Sequence, residues 1–282
     1  MKLEPGMCAL VTGGANGIGL GMAQVFRAAG LRSAIADLDE AALDAAGEQL
    51  GNDVLRIRLD VSSAESWPGA LAEVEASLGP IRLLCLNAGI GGPGRRVEEI
   101  PVEAFARVLG VNLFGLINGL QAWLPAAKAA GDPRHVVLTA SMSALRPTPC
   151  AGAYNVSKFA AMGLAETLRA ELAGGPIGVS ILCPGMTDTA FMRNAVRRGD
   201  AQAGSAVESV LSKGMSPLAV GRRVLDAVEA SEFYVFTHGD WREDVARRQA
   251  DLLSAFGANA DPDYREDVAG LLAAAGARLG QV

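Results

Sequence analysis

The chain has 282 residues, half of them hydrophobic and few aromatic, with a formal net charge of −6. That length can bury a substantial core in one α/β domain. The acidic balance argues against a nucleic-acid partner, because no basic stripe is present to neutralise phosphates, and the arginine pairs at 95–96, 197–198, 222–223 and 247–248 read as scattered solvated faces.

Taken in order, Met7–Thr12 is a short apolar run that reads as a buried parallel strand. It breaks into Gly13-Gly14-Ala15-Asn16-Gly17-Ile18-Gly19, followed by a helical pattern to about Ala29. Strand, glycine-rich turn and helix together bring backbone N–H groups and a helix N-terminus to a pyrophosphate. The spacing Gly-x-x-x-Gly-x-Gly, through Gly13, Gly17 and Gly19, differs from the commoner Gly-x-Gly-x-x-Gly. Leu31–Asp37 is the second strand. Its terminal Asp37 stands about 20 residues beyond the glycines, where a carboxylate accepts hydrogen bonds from adenosine ribose hydroxyls and repels a 2′-phosphate, favouring NAD over NADP. The alternative role for Asp37 is to cap a helix from about Asp39 to Leu50, which Asp39 can do instead.

Val54–Leu59 alternates as a third strand and delivers Asp60 and Val61; Ser62 or Ser63 then caps a helix to about Leu78. Ile81–Leu86 is the fourth strand, ending in Asn87-Ala88-Gly89, with Gly89–Gly94 as a flexible loop. Ligands of open α/β sheets bind outside the carboxyl ends of the strands, so these tips converge on one site. A long helix from about Val102 carries Asn112, a lone polar residue in an apolar run whose amide needs partners; backbone carbonyls would suffice. His135–Thr139 is the fifth strand, with His135 beginning it, and Ser141 follows. After a loop holding Pro147 and Pro149, a helix runs to about Ala173 with Tyr154 and Lys158 one turn apart on one face. An ammonium beside a phenol favours the phenolate and lowers its pKa from the usual value of about 10. The Ser141 hydroxyl is placed to hydrogen-bond a substrate oxygen. Ala153, Ser157, Ala160, Ala161 and Ala165 make one side of this helix small, suiting close approach in the core or across a subunit interface.

Gly178–Cys183 is the sixth strand, leading into Pro184-Gly185-Met186-Thr187-Asp188-Thr189. Residues 190–215 are polar and irregular, a candidate substrate lid. Pro217–Ala230 is helical, Phe233–Thr237 is the seventh strand, and residues 239–282 form a helical tail. With no internal repeat or linker, residues 1–282 read as a single domain. His238 has no assigned chemistry. The cysteines Cys8, Cys85, Cys150 and Cys183 lack metal-ligand spacing, so no metal is expected. Three of them fall in strands as small hydrophobes, whereas Cys150 either lines a pocket or packs. The N-terminal MKLEPGMCALVTGG lacks the pattern of a signal peptide, and no apolar run reaches the length of a membrane span. A soluble cytoplasmic protein without a membrane partner is expected.

Thr12-Gly13, Gly17-x-Gly19, Asp60, Asn87-Ala88-Gly89, Asn112, Ser141, Tyr154-x-x-x-Lys158 and Pro184-Gly185 with Thr189 occur in an order that resembles the short-chain dehydrogenase/reductase family, in its plain single-domain form, over roughly residues 7–190. The resemblance implies a Rossmann-type, doubly wound, seven-stranded parallel sheet of order 3-2-1-4-5-6-7 with helices on both faces. It implies Tyr154 as the acid/base, Lys158 as the residue that lowers its pKa and binds the nicotinamide ribose, Ser141 as the holder of the substrate oxygen, and Asn112 as the anchor of a water linking Lys158 to solvent. It assigns NAD to Gly13, Asn16, Gly17, Ile18 and Gly19, with Asp37 at the ribose and Asp60 and Val61 at the adenine. Asn87, Ala88 and Gly89 meet the adjoining backbone and ribose, and Pro184, Gly185, Thr187 and Thr189 meet the nicotinamide end. Ser141, Ser143, Tyr154, Met186 and Phe191 are the substrate contacts. Leu86 and Ala144 depart from residues frequent in the family, but neither touches the chemistry directly.

The segment Phe236-Thr237-His238 with Trp241-Arg242 resembles a subgroup that includes bacterial dehydrogenases of bulky secondary alcohols, lignin-derived aryl alcohols among them. The reaction implied is reversible hydride transfer between NAD(H) and a secondary alcohol or ketone, on a bulky apolar or aryl substrate. Two other readings stand beside it: a non-catalytic NAD-binding sensor or scaffold, and a nucleotide-sugar epimerase of the related extended fold. The family commonly forms tetramers, so a homo-oligomer, tetramer or dimer, is expected.

Overall fold

The computed structural model describes residues 1–51, 53–189, 214–256 and 270. The chain divides into two compact units, Met1–His238 and Gly239–Val282. In the first unit, strands β1 (Cys8–Thr12), β2 (Arg32–Asp37), β3 (Leu55–Arg58), β4 (Ile81–Leu86), β5 (Arg134–Thr139), β6 (Ile177–Cys183) and β7 (Tyr234–Phe236) form one sheet. Its order is β3-β2-β1-β4-β5-β6-β7, and every neighbouring pair is parallel, as expected. Helices α1 (Gly17–Ala28), α2 (Glu40–Leu50), α3 (Ser66–Leu78), α4 (Val102–Leu109), α5 (Gly115–Ala130), α6 (Gly152–Glu171) and α7 (Pro217–Glu229) complete this unit. In the second unit the described helix is α8, Arg242–Ala255.

Strands covered on both faces must be apolar along their whole length. All five residues of β1 and all six of β5 are buried. Met22 and Phe26 of α1 and Val220 and Val224 of α7 cluster with Val11, Leu83 and Leu182 of the sheet. Ala15, Ala23, Ile35, Leu43 and Leu50 form a second cluster beneath α2. Trp67 of α3 and Trp123 of α5 are fully buried elements of the core. His135 lies within β5, where its Nε2 is 2.8 Å from Ser180 Oγ, and burial pushes its pKa down to about 4.

Several local expectations change. Neither Ser62 nor Ser63 caps α3, whose N-cap is Glu65. Instead the backbone N–H and hydroxyl of Ser62 both donate to Asp60 Oδ1, at 2.9 and 2.6 Å, forming a tight turn at the end of β3. Asp39, not Asp37, caps α2, accepting from the Ala42 N–H at 3.1 Å. The long helix is interrupted at Gly110–Phe114 by one π-helical turn, which contains Asn112. Val102–Ala130 as a whole is long and apolar enough to cross a membrane by length and composition alone, correcting the view that no run reaches that length. Here its constituent helices pack on α3, α6 and β4. Of the small-residue face on α6, Ala153, Ser157, Ala161 and Ala165 are buried within this chain's own core, so that stripe serves helix-on-sheet packing. Cys150 is exposed and does not line the cleft described below.

Candidate active site

The carboxyl ends of the strands open onto one cleft, as the topology requires of a doubly wound sheet. Gly13, Asn16, Gly17, Ile18, Asp37, Asp60, Val61, Asn87, Ala88, Gly89, Tyr154, Lys158, Pro184 and Thr189 line it, drawing together most of the residues singled out from the sequence. Leu38, Leu59, Ile90, Val111, Thr139 and Ala140 also line it and were not among them. Phe191 and nearly all of the candidate lid lie outside the described residues.

At one end, the β1–α1 turn passes so close to the fourth strand that side chains are excluded. Gly13 has φ +62°, and a Cβ there would lie 2.9 Å from Ala88 Cα. A Cβ on Gly19 would lie 2.0 Å from the Gly13 carbonyl oxygen, so Gly19 sits beneath the turn and makes its tightness possible. Asn16 is the N-cap of α1 but makes no side-chain capping bond, leaving the first-turn N–H groups of the helix to face the cleft. Thr12, legible only as part of the glycine motif, ties this turn to β4. Its hydroxyl accepts from the N–H groups of Asn87 (2.9 Å) and Ala88 (3.1 Å) and donates to the Cys85 carbonyl (3.3 Å). The Asn87 side chain is likewise held, donating to the Thr12 carbonyl at 3.1 Å and accepting from the Thr139 hydroxyl at 3.3 Å.

Asp37 sits at the end of β2, its carboxylate accepting from the N–H groups of Leu38 (2.8 Å), Asp39 (3.3 Å) and Ala15 (3.3 Å). These bonds fix the carboxylate at the rim of the cleft. Lys158 is the cationic side chain among the described residues lining the cleft.

At the other end lie the groups able to move a proton. Ser141 follows β5, is almost fully buried, and caps a short turn by accepting from the Ser143 N–H at 3.1 Å. Burial raises the Tyr154 pKa, and a hydrogen bond with the Ser141 hydroxyl opposes the rise. The expected lowering by Lys158 is therefore not the dominant influence within the chain. Lys158 Nζ lies 5.6 Å from the centre of the tyrosine ring and donates to the Thr139 carbonyl at 2.9 Å. Burial pushes its own pKa down to about 8. The neighbouring Cys183 thiol is pushed up to about 12, mainly by burial, and stays uncharged.

Asn112 is completely buried, and its amide forms a two-way clamp on the residue after Gly89. Oδ1 accepts from the Ile90 N–H at 2.7 Å, while Nδ2 donates to the Ile90 carbonyl and to Ser157 Oγ, both at 3.0 Å. The loop expected to be flexible is thus pinned at its start. A Cβ on Gly89 would meet Asn112 Oδ1 at 3.3 Å and Lys158 Nζ at 3.6 Å, so the missing side chain lets the amide and the ammonium approach the same point. Ser157, which also donates to the Tyr154 carbonyl at 2.7 Å, connects Asn112 to the tyrosine's own turn. Of the described residues singled out from the sequence, Gly19, Asn112, Ser141, Ser143, Gly185, Met186 and Thr187 do not line the cleft. Among the described residues, no cluster of His, Cys, Asp or Glu is arranged to hold a metal.

Known proteins resemble this chain in sequence and in fold. The sequence model of the family described as short chain dehydrogenase matches residues 7–200. The 1-deoxy-11-beta-hydroxypentalenate dehydrogenase of Streptomyces avermitilis is 33% identical over 85% of this chain and 87% of its own length. The C alpha-dehydrogenase of a Sphingobium species is 31% identical over 97% and 94% of the two chains. A short chain dehydrogenase/reductase from Burkholderia phymatum, solved in complex with NAD, superposes with a TM-score of 0.83 at 29% identity, over 94% of this chain and all of that one.

Proposed function

Because this chain belongs to the short-chain dehydrogenase family and is an oxidoreductase acting on alcohol groups, we propose that it interconverts a secondary alcohol and a ketone with NAD, on a bulky apolar or aryl substrate. The observation that carries this reading is a single cleft with a glycine-walled helix N-terminus and a fixed carboxylate at one end, and Tyr154 and Lys158 at the other, with Ser141 hydrogen-bonded to Tyr154.

The residues fit a dinucleotide. The close approach at Gly13 and Gly19 leaves backbone where a pyrophosphate would rest, on the N-terminus of α1. Asp37 stands where ribose hydroxyls would donate to it, and its charge disfavours a 2′-phosphate; no arginine lines the cleft among the described residues to offset that charge. Asp60 and Val61 would flank the adenine, Lys158 the second ribose, and Thr189 the nicotinamide end. When bound, the nicotinamide supplies the acceptor or donor of the hydride.

The chain's own groups manage the proton. In the oxidation direction, the Tyr154 phenolate takes the proton of the substrate hydroxyl, and in reduction the phenol returns it. Ser141 hydrogen-bonds the same oxygen and stabilises the charge that develops on it. Lys158 holds a positive charge near the phenol, favouring phenolate. Asn112, beside Lys158 at Gly89, is suited to anchor a water that returns the proton to solvent. The names of the 1-deoxy-11-beta-hydroxypentalenate dehydrogenase and C alpha-dehydrogenase relatives support a bulky secondary alcohol.

The test is to follow formation of reduced nicotinamide with a panel of cyclic and benzylic secondary alcohols, using NAD⁺ and NADP⁺ separately. A signal favouring NAD⁺ is expected. Tyr154→Phe should reduce turnover by at least about a thousandfold, within the range for loss of a general acid/base plus its oriented proton path, while NADH binding persists. Retained turnover would remove Tyr154 from its assigned role; NADH binding without turnover of any alcohol or ketone would favour the sensor reading.

A further inference from the structure

The peptide group joining Pro184 to Gly185 is gripped at both ends. Its carbonyl accepts from the Met142 N–H at 3.0 Å, in the segment that carries Ser141. Its N–H, on Gly185, donates to both the Thr237 hydroxyl and His238 Nδ1, each at 3.2 Å. The Thr237 oxygen and His238 Nδ1 are themselves 2.7 Å apart. His238 lies two residues beyond the last strand of the sheet, and its ring packs against the glycine: a Cβ on Gly185 would meet Cγ and Nδ1 at 2.6 Å.

Gly185 N–H can only donate, so its bond to His238 uses the one lone pair of an unprotonated Nδ1, and the Thr237 oxygen accepts from the same N–H. We propose that His238 is a positioning residue for the cofactor end of the active site. With Thr237, it orients the Pro184–Gly185 peptide plane, which in turn sets the cleft-lining Pro184 and the segment leading to Thr189. Thr189 packs against the glycine turn from that segment: a Cβ on Gly17 would lie 3.0 Å from its methyl. One peptide plane therefore connects the serine segment, the glycine turn and the chain end of β7. The inference rests on the proposed function in taking that segment to meet the nicotinamide.

The test compares NADH binding, read by fluorescence of the reduced nicotinamide, in the full chain and in His238→Leu, His238→Asn and Thr237→Val. Loss of the acceptor in His238→Leu should weaken NADH about fivefold, the effect of one hydrogen bond of ordinary net strength. His238→Asn, whose amide oxygen takes the place of Nδ1, should recover affinity to within about twofold. Thr237→Val should fall between them. Equal affinity in His238→Leu, or no recovery in His238→Asn, overturns the inference while leaving the functional reading intact. Failure of the unaltered chain to bind either NADH or NADPH overturns the functional reading and this inference with it. A second readout needs no cofactor. The sequence has two histidines, so the ¹⁵N imidazole spectrum, assigned with His238→Asn, reports which nitrogen of His238 carries the proton. A proton on Nδ1 overturns the inference outright.

Discussion

Lys158→Met separates the requirements of chemistry from those of folding. Burial moves the lysine from its usual 10.5 to about 8, which corresponds to about 3 kcal/mol against the charged form in the folded chain at neutral pH. Methionine fills nearly the same space without a charge. The loss on the other side is the bond to the Thr139 carbonyl, whose stranding costs about 1–3 kcal/mol. The variant should thus be as stable as the parent, or more stable by up to ~2 kcal/mol, while losing turnover. The sign with pH follows from where the protons are. Below about pH 8 both folded and unfolded states hold the lysine proton, and the full penalty applies. Between about pH 8 and 10.5 the folded state releases it while the unfolded state keeps it, so the parent gains stability relative to the variant as pH rises. Urea unfolding of both proteins from about pH 6 to 9.5, with linear extrapolation, measures the gap. A variant less stable by more than about 1 kcal/mol at pH 7, or a gap that does not move with pH, would refute the reasoning.

Asp37→Ser keeps an acceptor for the Leu38 and Asp39 N–H groups but removes the charge at the rim, so the NAD/NADP ratio of kcat/KM should fall at least tenfold, about 1.4 kcal/mol; an unchanged ratio would reduce Asp37 to a local turn residue. Asn112→Ala removes the partner of the Ile90 N–H and carbonyl and one of the two partners of Ser157, for a loss of about 2–5 kcal/mol in urea unfolding together with reduced turnover. Unchanged stability would mean that the π turn closes on itself without the amide.

The positions of the strand ends were legible in the sequence from one kind of signal, whereas the sheet order came only with the family resemblance. Short apolar runs mark strands buried on both faces, and Gly13, Asp37, Asp60, Asn87 and Ser141 stand at their carboxyl ends or within two residues beyond. A residue at a parallel strand's carboxyl end has little choice of destination. The helix starts were less legible. Ser62 stands where an N-cap belongs, yet its hydroxyl is taken by Asp60, and the helix begins only after Glu65. Nothing in the run around Asn112 announces the π turn, and the partner its amide finds there, Ile90, lies 22 residues earlier in the chain. Thr139 escaped notice because it contributes to Lys158 through its carbonyl, and a carbonyl is common to every residue.

Protonation was the least legible property, and the reason is physical. Spacing places Lys158 one turn from Tyr154, and from spacing alone the pair should share charge as ammonium and phenolate. Burial acts on both in the opposite sense, raising the phenol and lowering the lysine, so it draws each toward its neutral form. What opposes that tendency is a pair of polar contacts from the β5 end: the Ser141 hydroxyl on the phenol and the Thr139 carbonyl on the ammonium. The four-residue spacing establishes proximity. The basicity of the pair is set by the strand end beside it, which is why Tyr154 and Lys158 can act as a proton-handling site here and would be an ordinary polar pair on an exposed helix.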